Sequence, residues 1–167
     1  MAEVNCLSRK EFVGALGGVF EASPWVAARA WQKRPFGDME DLHRAMCWVV
    51  DSATTEEKLT LIQAHPDLVG EAARRGTLTP ESASEQASAG LDRLSPEETA
   101  RFNRLNKAYR DRFGFPFVIC VRENKKEGIL SGFGSRIGHS REEEMAVALG
   151  EIAKIARLRL ADIVSDT

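Results

Sequence analysis

The stretch His65-Pro66-Asp67-Leu68-Val69-Gly70 marks the point where a predicted helix must end. Residues 54–64 have the pattern of a helix with Thr55 as its N-cap, two glutamates in its first turn and apolar residues at helical spacing. Proline disfavours the helical conformation of the residue before it, so we expect this helix to end at or before His65. The sequence therefore places an imidazole at a helix C-terminus, where the helix dipole favours a cation.

A histidine in this position has two interpretations. It could cap the last carbonyl groups of the helix without any chemical role, as Lys, Arg and His often do in last turns. It could also donate a proton, because an imidazolium form stabilised by its surroundings is a ready acid near neutral pH. The position of His65 alone is compatible with both.

The composition is that of an ordinary globular protein. The 167 residues are 43% hydrophobic and 29% charged, with a formal net charge of -2, and this length predicts one domain, 1–167. Such a charge provides no general attraction for nucleic acid or an acidic membrane surface. Cys6, Cys47 and Cys120 have no paired spacing, so we expect buried thiols in a reducing compartment. Neither the cysteines nor the three histidines have the spacing of a metal site.

The sequence contains no evident targeting or membrane segment. No apolar run approaches the roughly 18 residues that a membrane span needs. The first ten residues lack the apolar core of a secretory signal, and the C-terminal residues Ser165-Asp166-Thr167 form neither a peroxisomal nor a retention signal. We therefore expect a cytoplasmic protein.

Helix-start signals recur along the chain and predict an all-α fold. Predicted helices begin near residues 9, 25, 39, 55, 80, 96 and 141, with a short helix or turn at 71–76. Only 115–121 has the composition of a strand, and a solitary strand cannot form a sheet, so we expect an extended core segment or a short helix there. Four glycines make a helix over 124–138 less favourable. The expected architecture is a single-domain bundle of about seven to nine helices.

The helix predicted to begin at Pro80 has a distinctive polar side. Ser82, Glu85 and Gln86 lie together on it, because residues three and four apart are neighbours on a helix. The same side continues to Ala89, so small and polar groups face whatever lies there. A solvated polar face and a functional site both fit this pattern.

An arginine occupies the apolar side of the last predicted helix. That side is formed by Met145, Leu149, Ile152, Ala156 and Ile163. An advance of about 100° per residue puts Arg159 within this side, whereas Arg157 points away. A buried guanidinium needs a charged or hydrogen-bonded partner. The partner could be an internal carboxylate or an anionic ligand, since the guanidinium fork suits a carboxylate.

A possible acid, a carboxylate on a polar helix side and a buried arginine together suit chemistry on a small anionic compound. Further strings cover nearly the whole chain, namely Ser23-Pro24-Trp25, Arg34-Pro35-Phe36, Ser82–Gln86 with Ala89-Gly90-Leu91, Phe113–Cys120, and Leu158-Arg159-Leu160. In their order and spacing, these strings and the His65 stretch resemble the 2-oxo-4-hydroxy-4-carboxy-5-ureidoimidazoline (OHCU) decarboxylase family of urate degradation.

The resemblance implies a cofactor-independent carboxy-lyase that converts OHCU into (S)-allantoin, on an all-helical fold that usually forms a homodimer. It implies that His65 is the proton donor and that Glu85 is the second catalytic candidate. The substrate-binding positions that it implies are Pro66, Ser82, Ala83, Ser84, Glu85, Gln86, Phe117, Val118, Ile119, Cys120, Val121 and Arg159. No metal, nucleic acid or membrane partner is expected. The leaving carboxylate should face an apolar wall, for which Phe117 is a candidate.

Two other functions would use the same residues. One is a related acid–base reaction, such as hydrolysis, on another ureido or purine-derived ring. The other is a helical binding module that senses a ureide without turnover. Release of carbon dioxide would exclude the binding module, and a retained carboxylate would favour the hydrolase. The presence of the histidine, the glutamate and the arginine together favours an enzyme.

Overall fold

The computed structural model describes residues 1–165, and within them all regular secondary structure is helical. The helices are α1 (Ala2–Cys6), α2 (Arg9–Leu16), α3 (Trp25–Ala30), α4 (Met39–Asp51), α5 (Thr55–Gln63), α6 (Glu71–Arg75), α7 (Pro80–Ser88), α8 (Pro96–Phe113), α9 (Lys126–Arg136) and α10 (Arg141–Ser165). Two 3₁₀ turns, Trp31–Lys33 and Val121–Glu123, complete the described part. The all-α prediction is confirmed, and the described helices exceed the expected number by one because the single-turn helix α1 was not predicted.

The sequence located most helix starts correctly. The side chains of Ser8, Thr79 and Ser95 each accept a hydrogen bond from the backbone N–H three residues later, and Ser140 does the same ahead of α10. Such caps satisfy N–H groups that have no partner within the helix. The helix boundaries thus follow from local chemistry that is visible in the sequence.

The helix before His65 begins one residue earlier than expected. Thr54, not Thr55, is the cap: its Oγ1 accepts from the Glu57 N–H at 3.1 Å, and the Glu57 carboxylate accepts from the Thr54 N–H at 3.0 Å. A capping box needs a glutamate three residues after the cap, which Thr55 lacks. At its other end α5 stops at Gln63, so the predicted end before His65 is confirmed.

The glycine-rich region forms a helix after all. α9 buries Ile129, Phe133 and Arg136 on one side, and packing of that side outweighs the helix penalty of its glycines, about 1 kcal/mol each. Immediately before the second 3₁₀ turn, residues 116–120 are neither helix nor strand, which confirms the expected extended core segment.

The described chain divides into two compact units, the first formed by Met1–Ala64 with the chain from Ala153, the second by His65–Ile152. The first unit buries Phe12, Leu42, Met46, Leu61 and Ile62 completely. The second contains an aromatic core formed by Phe102, Tyr109, Phe113, Phe115, Phe117 and Phe133. The expectation of a single domain stays a prediction.

Some expectations about burial were wrong. Cys6 is exposed and Cys47 only half-buried, although Cys120 is buried as expected. Ile163 is 37% exposed and does not extend the apolar side of α10. No helix within residues 1–165 has the length and apolar composition to cross a membrane. Asp166 and Thr167, which belong to the C-terminal tripeptide considered above, lie outside the described residues.

Candidate active site

The three segments that the sequence singled out, residues 65–70, 82–86 and 117–121, all lie in the second unit. α7 packs against the 3₁₀ turn Val121–Glu123, so the helix that carries Ser82–Gln86 adjoins the end of segment 117–121. The side chain of Gln86 also reaches the first segment, where its Oε1 accepts a hydrogen bond from the Val69 N–H at 3.1 Å. The fold therefore brings α7 into contact with the other two segments.

His65 is buried, with 6% of its surface exposed, and Pro66 is half-buried. The loop that they begin, here named the His65 loop (His65–Gly70), is tied to α8 at two points. Asn106 Nδ2 donates to the Leu68 carbonyl oxygen at 2.8 Å. Arg110 Nε donates to the Asp67 carboxylate at 2.8 and 3.1 Å. These bonds limit the freedom of the chain that carries the imidazole.

The same loop contains a residue in an unfavourable conformation. Val69 has a φ of 56°, in the left-handed region, which costs an L-residue roughly 1–2 kcal/mol and disfavours β-branched side chains most. Gln86 restrains the chain at Val69 and just before it, because its Nε2 also lies 3.5 Å from the Asp67 carbonyl oxygen. At Gly70 an added Cβ would come within 2.7 Å of the Asp67 Cβ, so the tight loop requires glycine there.

The polar side of α7 faces the interior. Ser82 and Gln86 are 5% and 6% exposed, and Glu85 is half-buried, so the interpretation as a solvated polar face is wrong. Ala83 and Ser84 are exposed: Ser84 lies on the side of the helix away from Ser82, and Ala83 lies beside Gln86. The structure therefore does not group these two side chains with Ser82 and Glu85.

A cavity of 370 Å³ opens beside α7 in the second unit. Val69, Ala83 and Gln86 contribute to its wall, with apolar residues of α6, α7 and the following loop, but His65, Ser82 and Glu85 do not. Its position next to Val69 and Gln86, away from the imidazole, makes it a poor match for the predicted site. We do not assign it as the substrate pocket.

Segment 117–121, here named the Ile119 segment (Phe117–Val121), is held by side chains at two points. Arg136 Nη1 donates to the Val118 carbonyl oxygen at 2.7 Å, and Glu151 Oε2 accepts from the Cys120 N–H at 2.8 Å. Between them, half-buried Ile119 makes no hydrogen bond within the described part of the chain. Its N–H and carbonyl groups are thus among the segment's main-chain groups that have no hydrogen bond in the described part of the chain.

The ring of Phe117 does not lie where we expected, on an apolar wall that faces the substrate carboxylate. It is 1% exposed, stacks on Phe133 with 3.8 Å between ring centroids, and is covered by the Arg136 guanidinium at 4.3 Å. The side chain is therefore part of the aromatic core, and the expectation that it faces a leaving carboxylate is wrong. Burial also raises the pKa of the Cys120 thiol, which keeps that sulfur neutral and a poor nucleophile.

Arg159 lies in the first unit and is 4% exposed, as its place among apolar residues predicted. Of the two partners considered, the internal carboxylate is present: Nη1 donates to Glu21 Oε2 at 2.8 Å and to the Gly18 carbonyl oxygen at 3.2 Å. Arg157 is exposed and pairs with Glu40 at 2.6 Å, which confirms that it points away. A contact between Arg159 and a substrate stays a prediction.

Sequence reasoning missed several buried polar residues, namely Glu21, Asn106, Arg136 and Glu144, which are 3%, 4%, 6% and 0% exposed. A signal for Arg136 was available, because Ile129, Phe133 and Arg136 follow one another at spacings of four and three, the criterion that identified Arg159. Glu144 likewise precedes buried Ala148 by four residues. Within residues 1–165 no group of three or more His, Cys, Asp or Glu side chains could hold a metal ion.

Comparison with known proteins gives a consistent result. The chain matches the family model of OHCU decarboxylase over residues 5–161. It is 45% identical over 164 residues to 2-oxo-4-hydroxy-4-carboxy-5-ureidoimidazoline decarboxylase from Amia calva, which covers 98% of this chain and 94% of that protein.

Two solved structures are similar to it. A crystal structure of (S)-allantoin synthase has a TM-score of 0.77 and 32% identity over 97% of this chain, which spans only 53% of that longer chain. A crystal structure of OHCU decarboxylase in the presence of (S)-allantoin has a TM-score of 0.71 over 93% of this chain and 97% of that one. At 22% identity, this second likeness shows the fold alone.

Proposed function

The chain belongs to the OHCU decarboxylase family, and from this premise we propose that it decarboxylates OHCU to (S)-allantoin. One observation within the second unit carries the proposal. A buried histidine begins a loop that is hydrogen-bonded to α7, and α7 directs a half-buried glutamate and a buried serine to its inner side. A buried imidazole and a carboxylate are the two groups that the proposed reaction uses.

The substrate itself supplies the electron sink. OHCU carries its carboxylate on a ring carbon that also bears a hydroxyl and adjoins the carbon of a C=N bond. When the bond to the carboxylate breaks, its electron pair forms a C=C bond to that neighbour, and the C=N pair moves to nitrogen, which takes up a proton. Because the ring accepts the pair, no external acceptor is needed.

The intermediate is an enol whose conversion to product sets the stereochemistry. The hydroxyl loses its proton as a carbonyl forms, and the neighbouring carbon gains a proton on one face, which creates the S centre. Overall the reaction takes up one proton and releases carbon dioxide. An enzyme must therefore deliver the proton from one side only.

In this proposal His65 delivers that proton, since imidazole is the side chain best suited to proton transfer near neutral pH. Glu85 accepts a hydrogen bond from the substrate hydroxyl as it loses its proton. Pro66 and Ser82 contact the ring, and the main-chain groups of Ile119 bind its polar edge. Gln86 acts through the His65 loop, because its amide oxygen is already bonded to main chain there.

The experiment follows optical activity. OHCU decays unaided to racemic allantoin, so it should be generated in situ from urate and given to the purified protein. We expect a fast rise in the circular dichroism of one allantoin enantiomer, together with carbon dioxide. Dichroism no faster than the uncatalysed control would refute the proposal and favour a binding module, and a product that keeps its carboxylate would favour a hydrolase.

The proton donor can be tested separately. His65→Gln should reduce turnover by about 10² to 10⁴, the usual effect of losing a positioned acid. His43→Gln is the matched control, because His43 lies in the first unit and bonds to the Ala153 carbonyl oxygen at 2.8 Å. Turnover by His65→Gln above about a tenth of the wild-type value would contradict the assignment.

The proposed role of Gln86 predicts a different kinetic effect from that of His65. Gln86→Met leaves the Val69 N–H buried without its acceptor, which costs about 1–3 kcal/mol. If the amide positions the His65 loop, kcat should fall while KM changes little, because proton delivery and not ring binding is disturbed. Glu81→Gln, at an exposed position of α7, is the control. A rise in KM alone would show that Gln86 binds the substrate directly.

We further propose a homodimer in the cytoplasm, on the strength of the family resemblance. Light scattering on the purified protein measures the mass of the assembly directly, and we expect twice the mass of the 18.5 kDa chain. Elution at the mass of a single chain at micromolar concentration would contradict the dimer.

A further inference from the structure

We propose that the buried ion pair of Arg136 and Glu144 is a positioning device that holds the Ile119 segment in the geometry that binds substrate. This inference rests on the function proposed above, because it assigns the Ile119 main chain to substrate binding. Arg136 ends α9 and Glu144 lies in the first turn of α10, both within the second unit. Neither residue was among the candidates from the sequence.

The guanidinium of Arg136 contacts the segment in two ways. Nη1 donates to the Val118 carbonyl oxygen at 2.7 Å, and the guanidinium plane lies over the Phe117 ring at 4.3 Å. Nη2 also reaches the Tyr109 hydroxyl at 3.5 Å. One side chain thus restrains the main chain of one residue and the ring of its neighbour.

Glu144 orients that guanidinium. Its side chain is completely buried, Oε1 accepts from Arg136 Nε, and Oε2 lies 3.2 Å from His139 Nδ1. Both carboxylate oxygens are therefore engaged, and the arginine is held from the side opposite the segment. The ion pair fixes the orientation of the Arg136 side chain more narrowly than an apolar contact would, since a guanidinium donates its hydrogen bonds in a planar fork.

A stabilising role alone explains the pair poorly. Burying two charges is costly, and replacement of such pairs by apolar side chains is often neutral or favourable for stability. What apolar side chains could not provide is a donor for the Val118 carbonyl. Together with Glu151 at the Cys120 N–H, the pair restrains the residues on either side of Ile119 and sets the direction of its N–H and carbonyl groups.

The test separates stability from positioning by removing both charges. Arg136→Met leaves the Glu144 carboxylate buried without this cation and should lower both Tm and affinity. The double variant Arg136→Met/Glu144→Leu should recover much of the Tm, yet its KM for OHCU should stay raised by about 10- to 100-fold, because the Val118 carbonyl still lacks its donor. Its kcat should stay within about threefold of the wild-type value.

The control is Lys107→Met, which breaks an exposed pair with Asp111 in the same unit and should leave Tm and KM unchanged. Arg136→Lys keeps the charge but loses the fork. It should retain more Tm than Arg136→Met while its KM remains raised. A wild-type KM in the double variant would overturn the inference, because the pair would then serve stability alone.

A second measurement does not depend on turnover. Hydrogen exchange of the Cys120 amide in the ligand-free protein should become at least about tenfold faster in the double variant, because the segment loses one of its restraints. The amides of α8 around Phe102 should be unaffected. If the wild type decarboxylates OHCU but exchange at Cys120 is unchanged in the double variant, the positioning role is refuted and the proposed function stands. If exchange at Cys120 is faster in the double variant but the wild type does not decarboxylate OHCU, the proposed function is refuted and the restraint of the segment by the ion pair stands.

Discussion

Replacement of Arg159 by methionine should strongly destabilise the first unit. Arg159 and Glu21 are 4% and 3% exposed and are joined at 2.8 Å, so the substitution leaves a buried carboxylate without this cation. Removal of one partner of such a pair costs about 3–5 kcal/mol. In a chain of this length, that loss corresponds to a fall in Tm of roughly 6–20 °C. With an m value of about 2 kcal/mol/M, the urea midpoint should fall by about 1.5–2.5 M.

The assay is urea unfolding of four proteins: the wild type, Arg159→Met, Glu21→Leu and the double variant. Removing both charges should restore much of the stability, because an apolar pair avoids the cost of burying charge. Arg157→Met, which breaks the exposed pair with Glu40, should change stability by less than about 1 kcal/mol. An effect of Arg159→Met as small as that of the exposed control would refute the reasoning.

The same proteins separate the two interpretations of Arg159. If its role is only to neutralise Glu21, the double variant should fold and keep the wild-type KM. If it also binds an anionic substrate, the double variant should fold but show a raised KM. The internal carboxylate explains why the arginine is buried, and the kinetics decide whether that explanation is sufficient.

Three further predictions concern local features of the chain. Glu57→Gln can keep the capping box but removes the carboxylate. The hydrogen bond from the Arg29 guanidinium lowers the pKa of that carboxylate to about 2. The stability from that shift is present above the ordinary pKa of 4.5 and is lost as pH falls towards 2, so the Tm advantage of the wild type should shrink over that range. Gly134→Ala should stabilise by up to about 1 kcal/mol, whereas Gly132→Ala should gain less, because the new Cβ would lie 3.3 Å from Phe117 Cζ; equal changes in Tm would contradict the crowding. Burial raises the pKa of the Cys47 thiol to about 11, so a thiol reagent at neutral pH should modify it more slowly than Cys6, the exposed cysteine of α1, and equal rates would disprove this.

Helix boundaries and one buried helix side could be predicted because they depend on residues close in the chain. A cap and its partner are three residues apart, and Pro66 acts on the residue before it. The spacing of Ser82 and Gln86 predicts that they share one side of α7, although it left open whether that side is buried. The burial of Arg159 follows from its apolar neighbours on α10. The expected cap was wrong by one residue, because Thr54 and Thr55 are both possible caps. Only Thr54 has a glutamate three residues later, Glu57, which completes the capping box.

The partners of buried polar groups could not be predicted in this way. Glu21 lies 138 residues from Arg159, and no local pattern connects the two. The left-handed conformation of Val69 could not be predicted either, since a β-branched residue does not adopt it by preference and the Gln86 amide that accepts from its N–H is 17 residues away. These features depend on contacts between segments far apart in the chain.

The amino-acid sequence alone was sufficient for the all-α fold, most of the helix starts and the family, because capping, spacing and short motifs are properties of neighbouring residues. The tertiary structure decided which oxygen and nitrogen atoms meet. The Phe117 ring lies in the aromatic core, the Val118 carbonyl accepts from Arg136, and the Ile119 main chain makes no hydrogen bond within residues 1–165. The physical reason is that a buried polar group must find a partner in space, and the chain's path through the fold determines which partner is near.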